Sequence, residues 1–304
     1  MNKLTIIPHL WFDQQAEEAV ELYTSLFPDA STGDIARYTE EGREFHGMEP
    51  GSTMTIEFKL AGQSFLALNG GPHFQMNPSI SFYVTCESEE EVDHLWNELG
   101  RDGQILMPLD KYFWSDKYGW VQDRFGVSWQ IALGNLEDTG QKIVPFLMFV
   151  GDQHGRGQEA LDFYTGLFQN SGVTGVMHHD GSNQEPADTI MHAQFTLGGN
   201  TFMLIESALD HKFSFNEAIS LIILCDTQDD VDYFWDQLTE GGDPKAQQCG
   251  WLKDKFGVSW QVVPRELPEL IKDTETERAK SVMRAMFGMK KLNIHELKQA
   301  AELV

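Results

Sequence analysis

Short apolar stretches alternate with longer amphipathic ones along this chain. Ile6–Phe12 (IIPHLWF) is short and apolar with enough alternation for a β-strand. In EEAVELYTSLF (17–27), Ala19, Val20, Leu22, Tyr23, Leu26 and Phe27 fall on one side of a helix, which Pro28 ends. TMTIEFKL (53–60) and SFLALN (64–69), separated by Ala-Gly-Gln, read as a hairpin. The order then restarts with a strand at SISFYVT (79–85). A helix follows at SEEEVDHLWNELG, opened by a Ser cap and acids and closed by Gly. QILMP, YGWVQD and VSWQIAL supply three more strands, with a tight turn at Arg124-Phe125-Gly126. The pattern is βαβββ followed by βαβββ.

All of this occurs twice. DRFGVSWQ (123–130) returns as DKFGVSWQ (254–261), and the blocks before it return in the same order. EEAVELYTSLF matches QEALDFYTGLF (158–168), LAGQSFLAL matches LGGNTFMLI (197–205), and SFYVTCESEEEVDHLWNEL matches SLIILCDTQDDVDYFWDQL (220–238). The offset drifts from 141 to 131, so insertions and deletions sit in loops between matched blocks. The expected fold class is α+β: two tandem units, each a pair of βαβββ modules, and a C-terminal helical extension. The boundaries are 1–133 for unit one, a polar linker over 134–143, unit two over 144–263, and the extension over 264–304. In the extension, Val282, Met283, Met286, Phe287 and Met289 form an apolar stripe. IHELKQAAELV makes a last helix after an Asn293 cap, and docking on the chain's own second unit is expected.

Charge and cysteines narrow the setting. A formal charge of −25 repels phosphate backbones and anionic lipid, so neither nucleic acid nor membrane is an expected partner. ISLIILC (219–225), among the longest apolar runs, is too short to span a bilayer, and MNKLTIIPHLWFD does not read as a signal peptide. Cys86, Cys225 and Cys249 lack CxxC spacing, and the first two are equivalent repeat positions, which suits small core residues. A cytoplasmic protein with reduced thiols is expected.

The paired βαβββ pattern, with a last hairpin reading D-x-F-G-x-x-W-Q, resembles the vicinal oxygen chelate superfamily. The nearer resemblance is its PhnB-like branch, often labelled demethylubiquinone methyltransferase-like. Pro8, Leu10 and Phe12, with Pro145, Leu147 and Phe149, match the family's opening strand; Glu18–Tyr23 and Glu159–Tyr164 match its first helix, and Phe113–Gly126 its late segment. Both units are covered. No Gly-rich loop follows a first strand as a Rossmann-like methyltransferase needs, so methyl transfer is not expected.

The resemblance implies a divalent metal held by His and Glu from the first and last strands of two facing modules. Here the acid position is Gln130, and Gln261 in the repeat. A neutral amide is a weaker ligand and no general base. His9 lies on the first strand within a residue or two of the expected His, with Phe146 as its counterpart; the other positions fall near Leu66 and Met203, and near Ser81 and Ser220. The metal site is therefore read as degenerate. No cofactor is expected, and His9, Gln130, His192 and Glu206 are the secondary candidates should a divalent metal bind. Glu57 reads as a solvated strand acid, and His178-His179 as a loop pair whose neighbouring side chains point apart.

Aromatic residues carry the remaining signal. Alternation puts Trp129 and Gln130 on opposite faces; the resemblance implies that Gln130 looks into the cavity, which turns Trp129 toward the helices. Trp114 lies in KYFWSDKYG, whose shorter counterpart AQQCG lacks the aromatics. The expected ligand-binding set is His9, Trp11 and Gln130 inside, Trp114 and Asp116 on the rim, and Gln261 in unit two. The reading is a small-molecule binding protein with its site mainly in unit one and unit two as an in-chain pseudo-dimer partner, open to further oligomerisation. An enzyme with a non-standard metal site and a scaffold protein are the alternatives.

Overall fold

The computed structural model describes residues 4–43, 47–182, 185–272 and 276–302. The first repeat gives β1 (Ile6–Phe12), α1 (Ala16–Leu26), β2 (Ser31–Arg37), β3 (Thr53–Leu60), β4 (Gln63–Asn69), β5 (Ile80–Cys86), α2 (Glu89–Leu99), β6 (Gln104–Tyr112), β7 (Ser115–Gln122) and β8 (Ser128–Leu133). A short α3 (Leu136–Thr139) occupies the linker. The second repeat gives β9 (Ile143–Phe149), α4 (Gly157–Leu167), β10 (Gly172–His178), β11 (Ile190–Leu197), β12 (Asn200–Glu206), β13 (Ile219–Cys225), α5 (Gln228–Thr239), β14 (Trp251–Lys253) and β15 (Ser259–Pro264). The extension is α6 (Leu267–Ile271), α7 (Glu277–Phe287) and α8 (Ile294–Glu302).

The strands form two sheets. One is seven-stranded in the order β14-β15-β13-β1-β4-β3-β2, the other eight-stranded in the order β10-β11-β12-β9-β5-β8-β7-β6. Each sheet therefore joins one module of repeat one to one module of repeat two. The compact units follow the sheets: Thr5–Ser25, Asp29–Phe74 and Asn216–Val304 make one, and Gln75–Phe215 with the short stretches 1–4 and 26–28 makes the other. The duplication boundaries read from the sequence thus describe how the chain repeats, while the packed bodies cut across them.

Local sequence explains the elements. Ser88 caps α2 by accepting Glu91 N–H, and Glu91 reaches back to the Glu87 N–H. Thr227 and Asp230 form a reciprocal capping box on α5. In the seven-stranded unit Tyr23 of α1 stacks on Phe58 of β3 at 6.5 Å; in the other, α2 lies on β5, β7 and β8, and α4 on β10–β12. Cys86 and Cys225 are buried in the same strand position of their modules, and burial pushes both thiols up to about 12. They are unreactive core residues.

The two units differ at one edge. β6 completes the eight-stranded sheet, whereas β14 ends the seven-stranded one. There the extension takes over: Cys249 N–H donates to the Met289 carbonyl, Gly250 N–H to Lys290, and Gln248 Nε2 to Phe287. Val282, Leu292, Leu297 and Ala300 cluster around Leu267, with Val263 of β15 packed against them. Asn293 caps α8 by accepting Glu296 N–H. The extension packs on the second repeat's own strands.

Candidate functional site

The repeated octapeptide is a side-chain-locked hairpin turn. Asp123 Oδ1 accepts the N–H groups of Phe125 (2.9 Å) and Val127 (3.0 Å), and its Oδ2 accepts the Trp129 indole N–H at 2.8 Å. Asp254 makes the same three bonds to Phe256, Val258 and Trp260, at 2.9, 3.0 and 2.8 Å. Gly126 and Gly257 adopt φ of +92° and +89°, the left-handed region the turn requires. The buried Trp then holds its strand against the helix side, and the following Gln must face the other way. Gln130 and Gln261 are accordingly both buried on the face opposite the indoles.

Strand register brings the four expected positions together in each sheet. In the seven-stranded unit His9 pairs with Leu66 on one side and Ser220 on the other. Gln261 Nε2 donates to Ser220 Oγ at 3.0 Å, and Ser220 Oγ lies 3.3 Å from His9 Nδ1. His9 is 2% exposed, and burial drops its pKa from 6.5 to about 3, so the ring is neutral. The Trp251 ring meets it edge-on at 5.2 Å. Half-buried Trp11 donates its indole N–H to the Gly71 carbonyl at 2.8 Å. Its ring fills the space a Cβ on Gly70 would take, 2.2 Å away, and meets Phe74 and Trp251 edge-on.

In the eight-stranded unit Phe146 stands where His9 does, paired with Ser81 and Met203. Gln130 Nε2 donates to Ser81 Oγ at 2.8 Å, repeating the Gln–Ser pair. Tyr118 donates to Gln130 Oε1 at 2.8 Å, with its phenol held well above its ordinary pKa by burial. Tyr118, Trp120, Ala132, Met148 and Val150 form a buried cluster on this face. His9 and Trp11 therefore share a sheet with Gln261, and Gln130 shares one with Asp116 beside Trp114; the His9 and Gln130 of repeat one lie on different sheets.

The other candidates are placed as follows. Trp114, 45% exposed, stacks on Tyr112 at 4.8 Å and meets Tyr118 edge-on at 5.6 Å, two contacts away from Gln130. Asp116 is exposed and paired with Lys111 at 2.6 Å. His192 lies on β11 beside Phe146 at 6.0 Å, and burial lowers its pKa. Glu57 is exposed on β3. His178 ends β10 in solvent, and His179 falls beyond the strand. Glu206 is occupied by backbone: its Oε1 accepts from Gly155 (2.6 Å) and Gly157 (2.9 Å), and its Oε2 from Ile190 (2.7 Å). It caps the entry to α4, as Asn69 caps α1 by accepting Ala16 N–H at 2.9 Å. The repeat alignment pairs Asn69 with Glu206, and the structure gives both a capping role.

The donor set does not fit a divalent metal. The four positions offer one imidazole, one amide nitrogen turned to a serine, a serine and a leucine in one sheet, and no imidazole in the other. Among the described residues no group of three or more His, Cys, Asp or Glu side chains is arranged to hold a metal ion. No described helix is long and apolar enough to cross a membrane.

A protein of Escherichia coli K12, YjdN, is 24% identical over 147 residues, which is 45% of this chain and 99% of that protein. A PhnB protein from Bacillus cereus is 42% identical, covers 42% of this chain and 98% of its own, and has a TM-score of 0.39. Glyoxalase I from Zea mays, 10% identical, covers 90% of this chain and 98% of its own with a TM-score of 0.55, and so shares the fold. The profile of the family described as 3-demethylubiquinone-9 3-methyltransferase matches twice, over residues 4–132 and 141–263. The chain belongs to that family, the PhnB-like branch of the vicinal oxygen chelate superfamily, carried here as two tandem copies.

Proposed function

We infer that the chain is a small-molecule binding protein with a degenerate metal site, its ligand held on the His9 face of the seven-stranded unit. The observation that carries this reading is the chain Gln261–Ser220–His9, flanked by Trp11 and Trp251. It supplies one oriented polar group among aromatic walls, the composition of a small-molecule site. The face of the eight-stranded unit, with Gln130 and the outer Trp114, is the second place for a ligand. Its buried aromatic cluster favours packing there.

An imidazole with a pKa near 3 is a poor proton acceptor at neutral pH, which sets acid–base catalysis by His9 below binding. The methyltransferase of the family's description finds no support in a fold whose β1 leads into α1 without a Gly-rich phosphate-binding turn.

Two measurements on tag-free protein purified without chelator test the reading. Elemental mass spectrometry reads bound metal, and tryptophan fluorescence reads binding across a panel of small neutral and charged compounds. Saturable quenching that Trp11→Ala removes is the expected result. A stoichiometric divalent metal lost in His9→Ala would overturn it and place a metalloenzyme first.

A further inference from the structure

We propose that His9 presents Nε2–H as a hydrogen-bond donor to an uncharged carbonyl-type acceptor on the ligand, at the position where the superfamily holds a divalent metal. This rests on the binding reading above and names the chemical class that the same face takes.

The direction of the hydrogen-bond chain sets the tautomer. Gln261 Nε2 can only donate, so Ser220 Oγ accepts from it at 3.0 Å. The serine's single proton is then directed to the other polar neighbour, His9 Nδ1 at 3.3 Å. A neutral imidazole whose Nδ1 accepts carries its proton on Nε2. A metal ion needs a lone pair there, and none is offered in this arrangement. Leu66, the next position across the sheet, offers no ligand atom.

The surroundings select an uncharged partner. The Trp251 edge and the Trp11 ring bring no charge, and the Trp11 N–H is already spent on the Gly71 carbonyl. A carboxylate or phosphonate placed here would lose hydration with only one neutral donor in return. An aryl ketone, ester or amide meets the donor and uses the indoles as walls. The second copy serves as an internal control. It keeps the Gln–Ser pair, as Gln130 and Ser81, but has Phe146 in the histidine's place. The pair therefore belongs to the fold, and His9 is what this unit adds to it.

The test uses the full chain labelled with 15N-histidine, and benzamide, benzoate and Ni2+ as probes. Long-range 1H–15N correlation spectra, with His9 assigned by its loss in His9→Phe, read the tautomer directly. The expected pattern is an Nε2–H tautomer that Ser220→Ala weakens. Benzamide should shift the His9 signals and bind about tenfold more weakly to His9→Phe, the worth of one good hydrogen bond. Benzoate should bind more weakly than benzamide, and Ni2+ should leave His9 unchanged. An Nδ1–H tautomer, stoichiometric Ni2+ at His9, or equal benzamide binding by wild type and His9→Phe would each overturn the proposal, as would no benzamide binding at millimolar concentration. His9→Gln, which keeps a polar side chain, repeats the comparison if the Phe variant does not fold. Compounds that quench Trp11 while His9 stays silent would sink this inference and leave the binding reading intact.

Discussion

The carboxylate of Asp123 accepts the indole N–H of Trp129 at 2.8 Å, and closes its own turn with its other oxygen. One 4%-exposed side chain thus satisfies three N–H groups. Removing it leaves buried donors unpaired, each worth on the order of 1 kcal/mol or more. Asp123→Ala is expected to cost about 3 kcal/mol in urea unfolding. Asp254→Ala, which breaks the same three bonds in the second copy, should cost a similar amount. A loss below about 1 kcal/mol in both would mean the repeated octapeptide is not held by its aspartate.

Glu206 is expected to behave as a structural cap. Its two oxygens serve three backbone N–H groups, and an amide would turn a donor toward at least one of them. Glu206→Gln should therefore destabilise by about 2 kcal/mol while leaving metal content unchanged. A Cβ on Gly157 would lie 2.7 Å from the Glu206 carboxyl carbon, so Gly157→Ala should be destabilising for the same reason. Metal bound by wild type and lost in Glu206→Gln would contradict the capping role.

Much of this was legible in the chain. Asp123, Trp129 and Gln130 recur as a block, and alternation alone put the indole and the amide on opposite faces. Equivalence of His9 with Phe146, and of Ser81 with Ser220, followed from aligning the copies. What repeats cannot convey is which copy pairs with which. A duplication makes Gln130 and Gln261 equally good partners for His9, and only strand pairing chooses Gln261. β2 and β10 leave no such mark, because edge strands with mostly exposed residues need no apolar alternation. Glu206 stood only as a secondary metal candidate, because a strand-end carboxylate looks the same in sequence whether it meets backbone N–H groups, solvent or a cavity.

The C-terminal extension replaces an edge strand, and its stability contribution should be readable at one residue. Leu292 is fully buried, and its side chain lies against the space beside Gly250 at the end of β14. Leu292→Ala should cost about 3 kcal/mol, as cavity-forming core substitutions do. An equal urea midpoint for the variant would mean that the extension rests on the unit without stabilising it.

Trp114 and Asp116 should matter little for folding. Asp116 and Lys111 are both about three-quarters exposed, so their ion pair is screened by water. Asp116→Asn is expected to leave the unfolding midpoint unchanged. If Trp114→Ala leaves both the midpoint and the quenching unchanged, the ligand face belongs to the seven-stranded unit alone. Lost quenching with an unchanged midpoint would move the site to the Gln130 face.

His9 should write itself into the pH dependence of stability. Burial takes its pKa from 6.5 to about 3 in the folded protein. Between those values the unfolded chain binds a proton that the folded one refuses, so folding loses stability as pH falls through the interval. The full contribution is present above 6.5, and the loss approaches about 1.4 kcal/mol per pH unit in the middle of the window. His192, whose pKa burial also lowers, adds a slope of the same sign, so the informative quantity is a difference. His9→Phe, which installs the residue that the other copy uses, should flatten the curve of unfolding free energy against pH by that one-proton slope. The measurement is urea unfolding of both proteins across the window. Parallel curves would mean that His9 takes up its proton in the folded state, and that water or an acid reaches the ring.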